Sequence, residues 1–572
     1  MRRKHLLAVA LVAALLHLSP QLHALTYAGD ADNLAYDTMH IAGITGSGAI
    51  IGVIDTGYAR TDHSTFYTSE TDTTSRVTKL LYYNGSLTYT GHANGVAGVA
   101  AGRGDGEGGY VGVAPGAEVW SASTSGEDND MRQAYLDMST PDGEGKRCKI
   151  FAVSLASPTA DHGLYSIDAF VDWMATERGA LVCLGSGNSP DYIAVPGGSY
   201  NVLTVGGVTA ELNAVTDSSG RGPTLDGRSK PDVVAPSSKL LVPDHVGVDA
   251  WYRNPGSYTS ASQPFAPGTA ALLHQVVEEH GMTWDARVAK VNIMNSATKL
   301  AGWTHSNTQP LDNAQGAGMI NCEWAVYQTL AGEQSPGDVI GRGWDLATVT
   351  GSVSNTYHIT NTAKSEFYIA ATLNWYRYLS VTDDNLLGHN WHIDKFENLN
   401  LYLYRESDCA LVAQSTSAID SVEHIFFHVD QTDTYALTVD LVGPGSRSDN
   451  YALAWFTLIP GDANGDGIVD GADLAVWQRH YDPLGLSLPT WVKGDWNFDN
   501  IVDGADLALW QQNYNPLGYY EDGDLGDFPT MGETLQSLGV VPGVVPEPAT
   551  ATMLALAASG LACMRRRRRA KR

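Results

Sequence analysis

From residue 46 to about residue 332 the chain repeats one pattern, a short apolar run that ends in small or polar residues and then a helical stretch. Ala49-Ile50-Ile51-Gly52-Val53-Ile54 runs into Asp55-Thr56-Gly57, and Ile150-Phe151-Ala152-Val153 into Ser154-Leu155-Ala156. Leu181-Val182-Cys183-Leu184 runs into Gly185-Ser186-Gly187-Asn188, and two further runs lie at 201–206 and 230–236. An unbroken apolar run reads as a strand buried on both faces. Its alternation with helices predicts an α/β fold, a mostly parallel sheet with helices on both sides. Open sheets of this kind place their chemistry beyond the C-terminal ends of the strands. The first candidates are therefore the residues at those ends, the Asp55 carboxylate foremost.

Two helical starts supply the rest of a constellation. Gly91-His92-Ala93-Asn94-Gly95 opens a helix of small residues with a histidine. Tyr258-Thr259-Ser260 precedes Pro264 and an apolar helical run through Val277. A serine at a helix start sits in the positive end of the helix dipole, where its own N–H can help hold an oxyanion. By itself a Ser/Thr-rich helix start is more often a cap than a nucleophile. Here Asp55, His92, Asn188 and Ser260 follow one another in the order that subtilisin uses for its catalytic groups. Together with Val111-Gly112-Val113-Ala114-Pro115 and Gly316-Ala317-Gly318-Met319-Ile320-Asn321, these phrases resemble the subtilisin-like serine proteases (peptidase family S8) over about half of the chain. The resemblance implies a catalytic domain over residues 46–332 in which Ser260 is the nucleophile, His92 the proton carrier and Asp55 its orienting partner. Asn188 would stabilise the oxyanion, and Ser154, Leu155, Ala156, Leu184, Gly185 and Ser186 would line the substrate cleft. No cofactor is needed for that chemistry. The chain departs from the usual wording at Tyr258, where the family has Gly, and at Ala93-Asn94, Phe265 and Pro267. A side chain at 258 is expected to crowd the substrate or strain the loop. Together with the short lead, it keeps open a different class, a silent subtilase-fold adhesion or scaffold protein.

Net charge is −28, and only 17% of residues are charged. A chain this acidic has no general field for nucleic acid. Divalent cations are the better match. Arg2, Arg3 and Lys4 precede an apolar run from Leu6 to Leu18, so residues 1–24 read as a secretory signal, with 25–45 a short lead too small for a long propeptide. The five cysteines are sparse and suggest no disulfide framework.

Residues 340–458 change character, with short alternating strands such as 367–373, 399–404, 424–429 and 435–439 and no helical stretch. They predict a β-sandwich and resemble the jelly-roll domains that follow the catalytic domain in secreted subtilases. Residues 461–518 hold an internal repeat. Asp462, Asn464, Asp466, Ile468, Asp470 and Asp473 recur as Asp495, Asn497, Asp499, Ile501, Asp503 and Asp506. That spacing puts oxygen ligands at loop positions 1, 3, 5, 7, 9 and 12, the pattern of an EF-hand-type Ca²⁺ loop. Each loop leads into a short amphipathic helix, expected to bury Leu474, Trp477, Leu507 and Trp510 between the two. The duplication without entering helices resembles a type I dockerin, which implies a cohesin-like partner. A linker-like stretch, 519–545, is followed by Val545-Pro546-Glu547-Pro548, the apolar run Ala549–Met564 and Arg565–Arg569. Residues 546–572 resemble the Pro-Glu-Pro sorting tails handled by exosortases, with the apolar run marginal for a stable membrane span. The whole predicts an exported serine endopeptidase at the cell surface or outside the cell, with protein or peptide substrates.

Overall fold

A computed structural model of the chain describes residues 34–515, apart from 70, 105–110, 254–255, 361–366, 382–389, 430, 432, 444–446, 466 and 486–488. The signal segment, the linker, the sorting tail and Asp466 lie outside the described residues. Strands β1 (Ile50–Asp55), β2 (Val77–Tyr83), β3 (Glu118–Thr124), β4 (Ile150–Val153), β5 (Ser157–Ala160), β6 (Leu181–Gly185), β7 (Ala194–Val195), β8 (Leu203–Val208) and β9 (Val233–Pro236) follow one another, then a hairpin of β10 (Leu241–Pro243) and β11 (Trp251–Arg253). Seven of them form one sheet in the order β2-β3-β1-β4-β6-β8-β9, parallel at every pairing. The apolar runs of the sequence are these strands, and their burial patterns are nearly continuous, as a sheet covered on both faces requires.

The strand order reverses between β1 and β4. The chain goes outward from β1 to β2 and β3, then returns to lay β4 on the other side of β1. Such a switch point opens a crevice at the strand ends, and Asp55 and Ser154 stand at its two lips. Helices α1 (Tyr36–Ile41), α2 (Gly91–Ala101), α3 (Asp128–Ser139), α4 (Ser166–Arg178), α5 (Thr259–Ser262), α6 (Phe265–Glu279), α7 (Ala286–Asn295) and α8 (Cys322–Leu330) complete this part. Tyr135, Phe151, Phe170, Trp173, Met174 and Leu184 pack in a core on one side of the sheet. On α2 the small residues permit close approach. A Cβ on Gly98 would stand 2.3 Å from the Pro243 ring, so the β10–β11 hairpin lies directly on this helix.

Residues 337–458 form two facing sheets and a separate two-stranded one, in which the fifth strand of this part pairs with the sixth. Their strands are β12 (Gly337–Val339), β13 (Arg342–Thr350), β14 (Asn355–Thr360), β15 (Phe367–Trp375), β16 (Tyr378–Val381), β17 (Trp391–Lys395), β18 (Leu399–Arg405), β19 (Ala410–Ser415), β20 (Val422–Val429), β21 (Thr434–Leu441) and β22 (Ser448–Leu458). One sheet runs β12-β14-β21-β18-β19 and the other β13-β22-β15-β20. Leaving β12 aside, this interleaving of antiparallel strands is that of a jelly roll. Alternate residues such as Leu399, Leu401 and Leu403 meet Leu373, Trp375 and Trp455 in a common core. The β13-β22 face packs against α7 through Val288, Val291, Trp344, Ala452 and Ala454. Arg377 closes the seam, pairing with Asp172 and exchanging hydrogen bonds with Asn201.

The repeat forms α9 (Gly471–His480) and α10 (Gly504–Asn513), each started by a capping box, Asp470 with Asp473 and Asp503 with Asp506. The two copies answer each other. Trp477 Nε1 donates to the Asp503 carbonyl at 2.9 Å, and Trp510 Nε1 to the Asp470 carbonyl at 2.7 Å. This corrects the expected burial between the helices. Leu474, Trp477, Leu507 and Trp510 are only half-buried, because the indoles cap the opposite loop instead of filling a helix–helix core. Val469, Val502, Trp491, Val492 and Trp496 are buried in their place. Cys148, Cys183 and Cys322 are buried free thiols and Cys409 an exposed one, with no disulfide among the described residues. No described helix is long and apolar enough to cross a membrane.

Candidate active site

Asp55 is the last residue of β1 and is fully buried. Thr90 caps α2, its hydroxyl accepting from Ala93 N–H at 3.3 Å, which sets His92 in the first turn opposite Asp55. His92 Nδ1 lies 2.6 Å from Asp55 Oδ2. An ionised carboxylate only accepts, so Nδ1 carries the proton and Nε2 is left with its lone pair on the cleft side. Burial alone would lower the His92 pKa. The hydrogen bond and charge of Asp55 outweigh it, and the pKa is raised above the ordinary value.

Ser260 is the second residue of α5, so its N–H has no partner within the helix. Asn188 faces it across the cleft. The Asn188 Oδ1 accepts from Thr259 N–H at 2.8 Å and from the Thr259 hydroxyl at 3.2 Å, and that hydroxyl accepts from Gly187 N–H at 3.2 Å. With its oxygen occupied in this way, the amide presents its Nδ2–H₂ end to the cleft. Ser154 is fixed from below, its hydroxyl 2.7 Å from Gln263 Oε1 and 3.3 Å from the Ser260 carbonyl. Gln263 is itself buried and donates to the Cys183 carbonyl at 2.9 Å.

These groups share one cleft of about 420 Å³, lined by Asp55, His92, Ser154, Leu155, Ala156, Gly185, Asn188 and Ser260 among others. Two expected lining residues are corrected. Leu184 points into the core beneath the sheet because side chains alternate along β6, and Ser186 is fully buried. Thr259, Pro158, Tyr192 and Ala194 line the cleft and were not singled out in the sequence. Thr259 was signalled only by its place beside Ser260. Tyr192 was signalled by nothing local, since its hydroxyl reaches the Pro158 carbonyl across the cleft at 3.2 Å.

The departures from the family wording each find a place. Tyr258 has extended backbone, φ −115° and ψ 138°, so it needs no glycine. Its ring lies over Gly256, where a Cβ would come within 2.1 Å of it, and it is outside the cleft lining. The loop strain expected of it does not occur. Pro267 is the third residue of α6, where the missing N–H had no intrahelical partner to lose. Phe265 is buried against Tyr36. Asn94 accepts from Arg60 N–H and donates to the Asp244 carbonyl, tying the start of α2 to the β10–β11 hairpin.

The acidic loops are a second candidate site. Asp495 is buried, and its pKa is pushed up to about 7 by burial and by the neighbouring Asp506 and Asp499 charges. Asp506 is pushed up to about 6, chiefly by burial. Acids crowded this way, raised by burial and by one another's charge, fit a divalent cation, and the donor set is all oxygen, as Ca²⁺ prefers. Both loops also take the backbone turns such a loop demands. Gly465 and Gly467 have φ +72° and +80°, and their counterparts Phe498 and Asn500 +59° and +66°. The first-position acids, Asp462 and Asp495, each accept two backbone N–H groups of their own loop. Among the described residues, the group of three or more His, Cys, Asp or Glu ligand atoms drawn within 4.8 Å of one another is Asp161, His162 and Asp168, not the loop acids.

Residues 46–318 match the model of the Subtilase family, and residues 544–569 match the PEP-CTERM protein-sorting motif. The chain is 28% identical over 322 residues to Serine protease AprX of Bacillus subtilis, covering 50% of this chain and 67% of the relative. It is 27% identical over 300 residues to Subtilisin BL of Lederbergia lenta, covering 50% of this chain and 94% of the relative. The sorting motif supports export and a surface or extracellular location. Residues 46–318 thus resemble the Subtilase family, with protease relatives at low identity.

Proposed function

We propose that this protein is an exported serine endopeptidase that cleaves peptide bonds of protein substrates through an acyl-enzyme. Ser260 Oγ attacks the scissile carbonyl while His92 Nε2 takes its proton. Asp55 holds the imidazole through Nδ1 and stabilises its charged form. The negative oxygen of the tetrahedral intermediate is received by Asn188 Nδ2 and the Ser260 N–H. His92 then protonates the leaving amine, and water completes the cycle by the same relay. The extended segment 154–156 supplies a strand edge beside which a peptide backbone can lie. The observation that carries this reading is the Asp55–His92 pair sharing one cleft with Ser260 and with an Asn188 whose oxygen is already engaged.

The acidic module is read as binding two Ca²⁺ ions. Asp462, Asn464, Asp466, Ile468, Asp470 and Asp473 would hold one, and Asp495, Asn497, Asp499, Ile501, Asp503 and Asp506 the other. A cohesin-like domain would be its protein partner, and an exosortase-type enzyme would process the tail. The alternative, a silent subtilase-fold scaffold, rests on Tyr258, whose half-exposed side chain stands two residues before Ser260. Labelling the purified protein with a fluorophosphonate tests the enzyme reading. An adduct mapped to Ser260 is expected. A protein that stays unlabelled while folded would overturn it.

A further inference from the structure

The acidic module does not hang from the rest of the chain. It is held by its loops. In the first loop the Asn464 carbonyl accepts from Trp324 Nε1 at 2.9 Å, and the Gly465 carbonyl accepts from Arg342 Nη2. Trp324 belongs to α8 of the catalytic part and Arg342 to β13 of the sandwich. Gly465 is required twice over, by φ +72° and because a Cβ there would lie 2.5 Å from Trp324 Nε1. In the second loop the position matching Gly465 is Phe498, a bulky side chain in the left-handed region at φ +59°. Its ring lies 5.0 Å from Tyr368, 5.6 Å from Phe426 and 5.3 Å from Trp491. An aromatic residue does not adopt that backbone without compensation, and the aromatic cluster on the sandwich supplies it. Trp324, Phe456, Leu458, Ala463, Trp491 and Trp496 therefore form one core drawn from all three parts.

Both grips come from the same stretch of the loop, positions three and four, between the first-position acid and the acid at position five. A cation that fixes those oxygens fixes the backbone that makes the grip. The outer faces of α9 and α10, with Ala472, Ala475, Ala505 and Ala508 exposed, remain free. We infer that the two acidic loops are the clasp that fastens the module to the protease and sandwich, so that Ca²⁺ binding and docking are one linked event. This rests on the calcium reading of the loops.

Linkage makes the inference testable, because an undocking change must weaken Ca²⁺ binding by the factor by which Ca²⁺ favours docking. The test uses the full chain carrying Ser260→Ala, which cannot digest itself. Ca²⁺ uptake is measured by calorimetry, and docking by hydrogen exchange of residues 322–330. Chelation is expected to raise exchange around Trp324. Phe498→Gly is the decisive variant. Glycine suits the left-handed turn better and is what the first copy has, so a loop that bound calcium independently would bind as tightly or more tightly. A linked loop loses its anchor, and about tenfold weaker binding at one site is expected. Trp324→Phe keeps the ring but loses the N–H, and is expected to weaken the other site a few-fold. Uptake of two ions that Phe498→Gly leaves unweakened, with exchange at 322–330 indifferent to chelator, would overturn the clasp and leave the calcium reading standing. No Ca²⁺ uptake by the parent chain would overturn both.

Discussion

Buried acids in the parallel sheet and at one stretch of its seam with the sandwich behave oppositely. In the sheet two buried acids, at opposite strand ends, each touch a basic group. Asp55 meets His92, and Asp232 lies 2.6 Å from Lys230 and 3.2 Å from Lys290. Burial pushes Asp232 up, but the two lysines outweigh it and its pKa is lowered. At the seam between catalytic part and sandwich, Asp420 is met by the Ser229 N–H and the Ser417 hydroxyl. Burial dominates there and its pKa is pushed up to about 6, while Glu423 beside it is raised well above the ordinary carboxylate range. These donors and the Arg228 and Lys230 charges lower the Asp420 pKa, but together they do not offset the desolvation of the carboxylate. An acid that touches a base directly holds geometry. Asp420, where burial wins, makes its stretch of the seam respond to protons.

The comparison is sharpened most at Asp55. Asp55→Asn removes the charge that sets the histidine tautomer, and a loss of about 10⁴ in kcat is expected. The wild-type pH profile of kcat/KM carries a second expectation. His92 acts as a base only when neutral and its pKa is raised, so activity should climb through a midpoint above that of an ordinary histidine. A midpoint at or below the ordinary value would show that Asp55 does not govern the imidazole. The next effect is at the other wall of the cleft. Asn188→Ala removes one oxyanion donor and should lower kcat by about 10²–10³ with little change in KM. A change confined to KM would remove Asn188 from the transition state.

The parts legible in the sequence are those whose signal is local. The unbroken apolar runs before Asp55 and Asn188 announced buried parallel strands, and the small residues after His92 announced a helix that neighbours approach closely. The jelly roll was legible in its alternating strands, while its seam with α4 and α7 was not, because the residues that meet there, Asp172 with Arg377 and Val291 with Trp344, are far apart in the chain. The same limit hid the contacts of Gln263 with Ser154 and of Tyr192 with Pro158, whose partners lie far away in the chain. Leu184 was misassigned by proximity to Gly185, because strand alternation turns adjacent residues to opposite sides. In the module the spacing of the acids was plain. The meaning of Phe498 was not, since a Phe for a Gly reads as a blemish until its ring is seen among Tyr368, Phe426 and Trp491.

The smallest effect expected is at the seam, and its sign follows from the raised pKa of Asp420. The ordinary value is 3.8 and the folded value about 6, so the folded protein holds this proton more tightly than the unfolded chain. The stability it contributes is complete below about pH 4 and is lost as pH rises through 6. Between those limits the loss is roughly 1 kcal/mol per pH unit for a single group. Asp420→Asn cannot ionise and keeps an oxygen to accept from Ser229. The variant should therefore gain on its parent as pH rises from about 4 to about 6 and hold a constant difference above that. Thermal unfolding of the two chains, both carrying Ser260→Ala, reads this directly. Parallel melting curves across that window would mean that Ser229, Ser417 and the Arg228 and Lys230 charges compensate the buried carboxylate after all, and that burial does not dominate at Asp420.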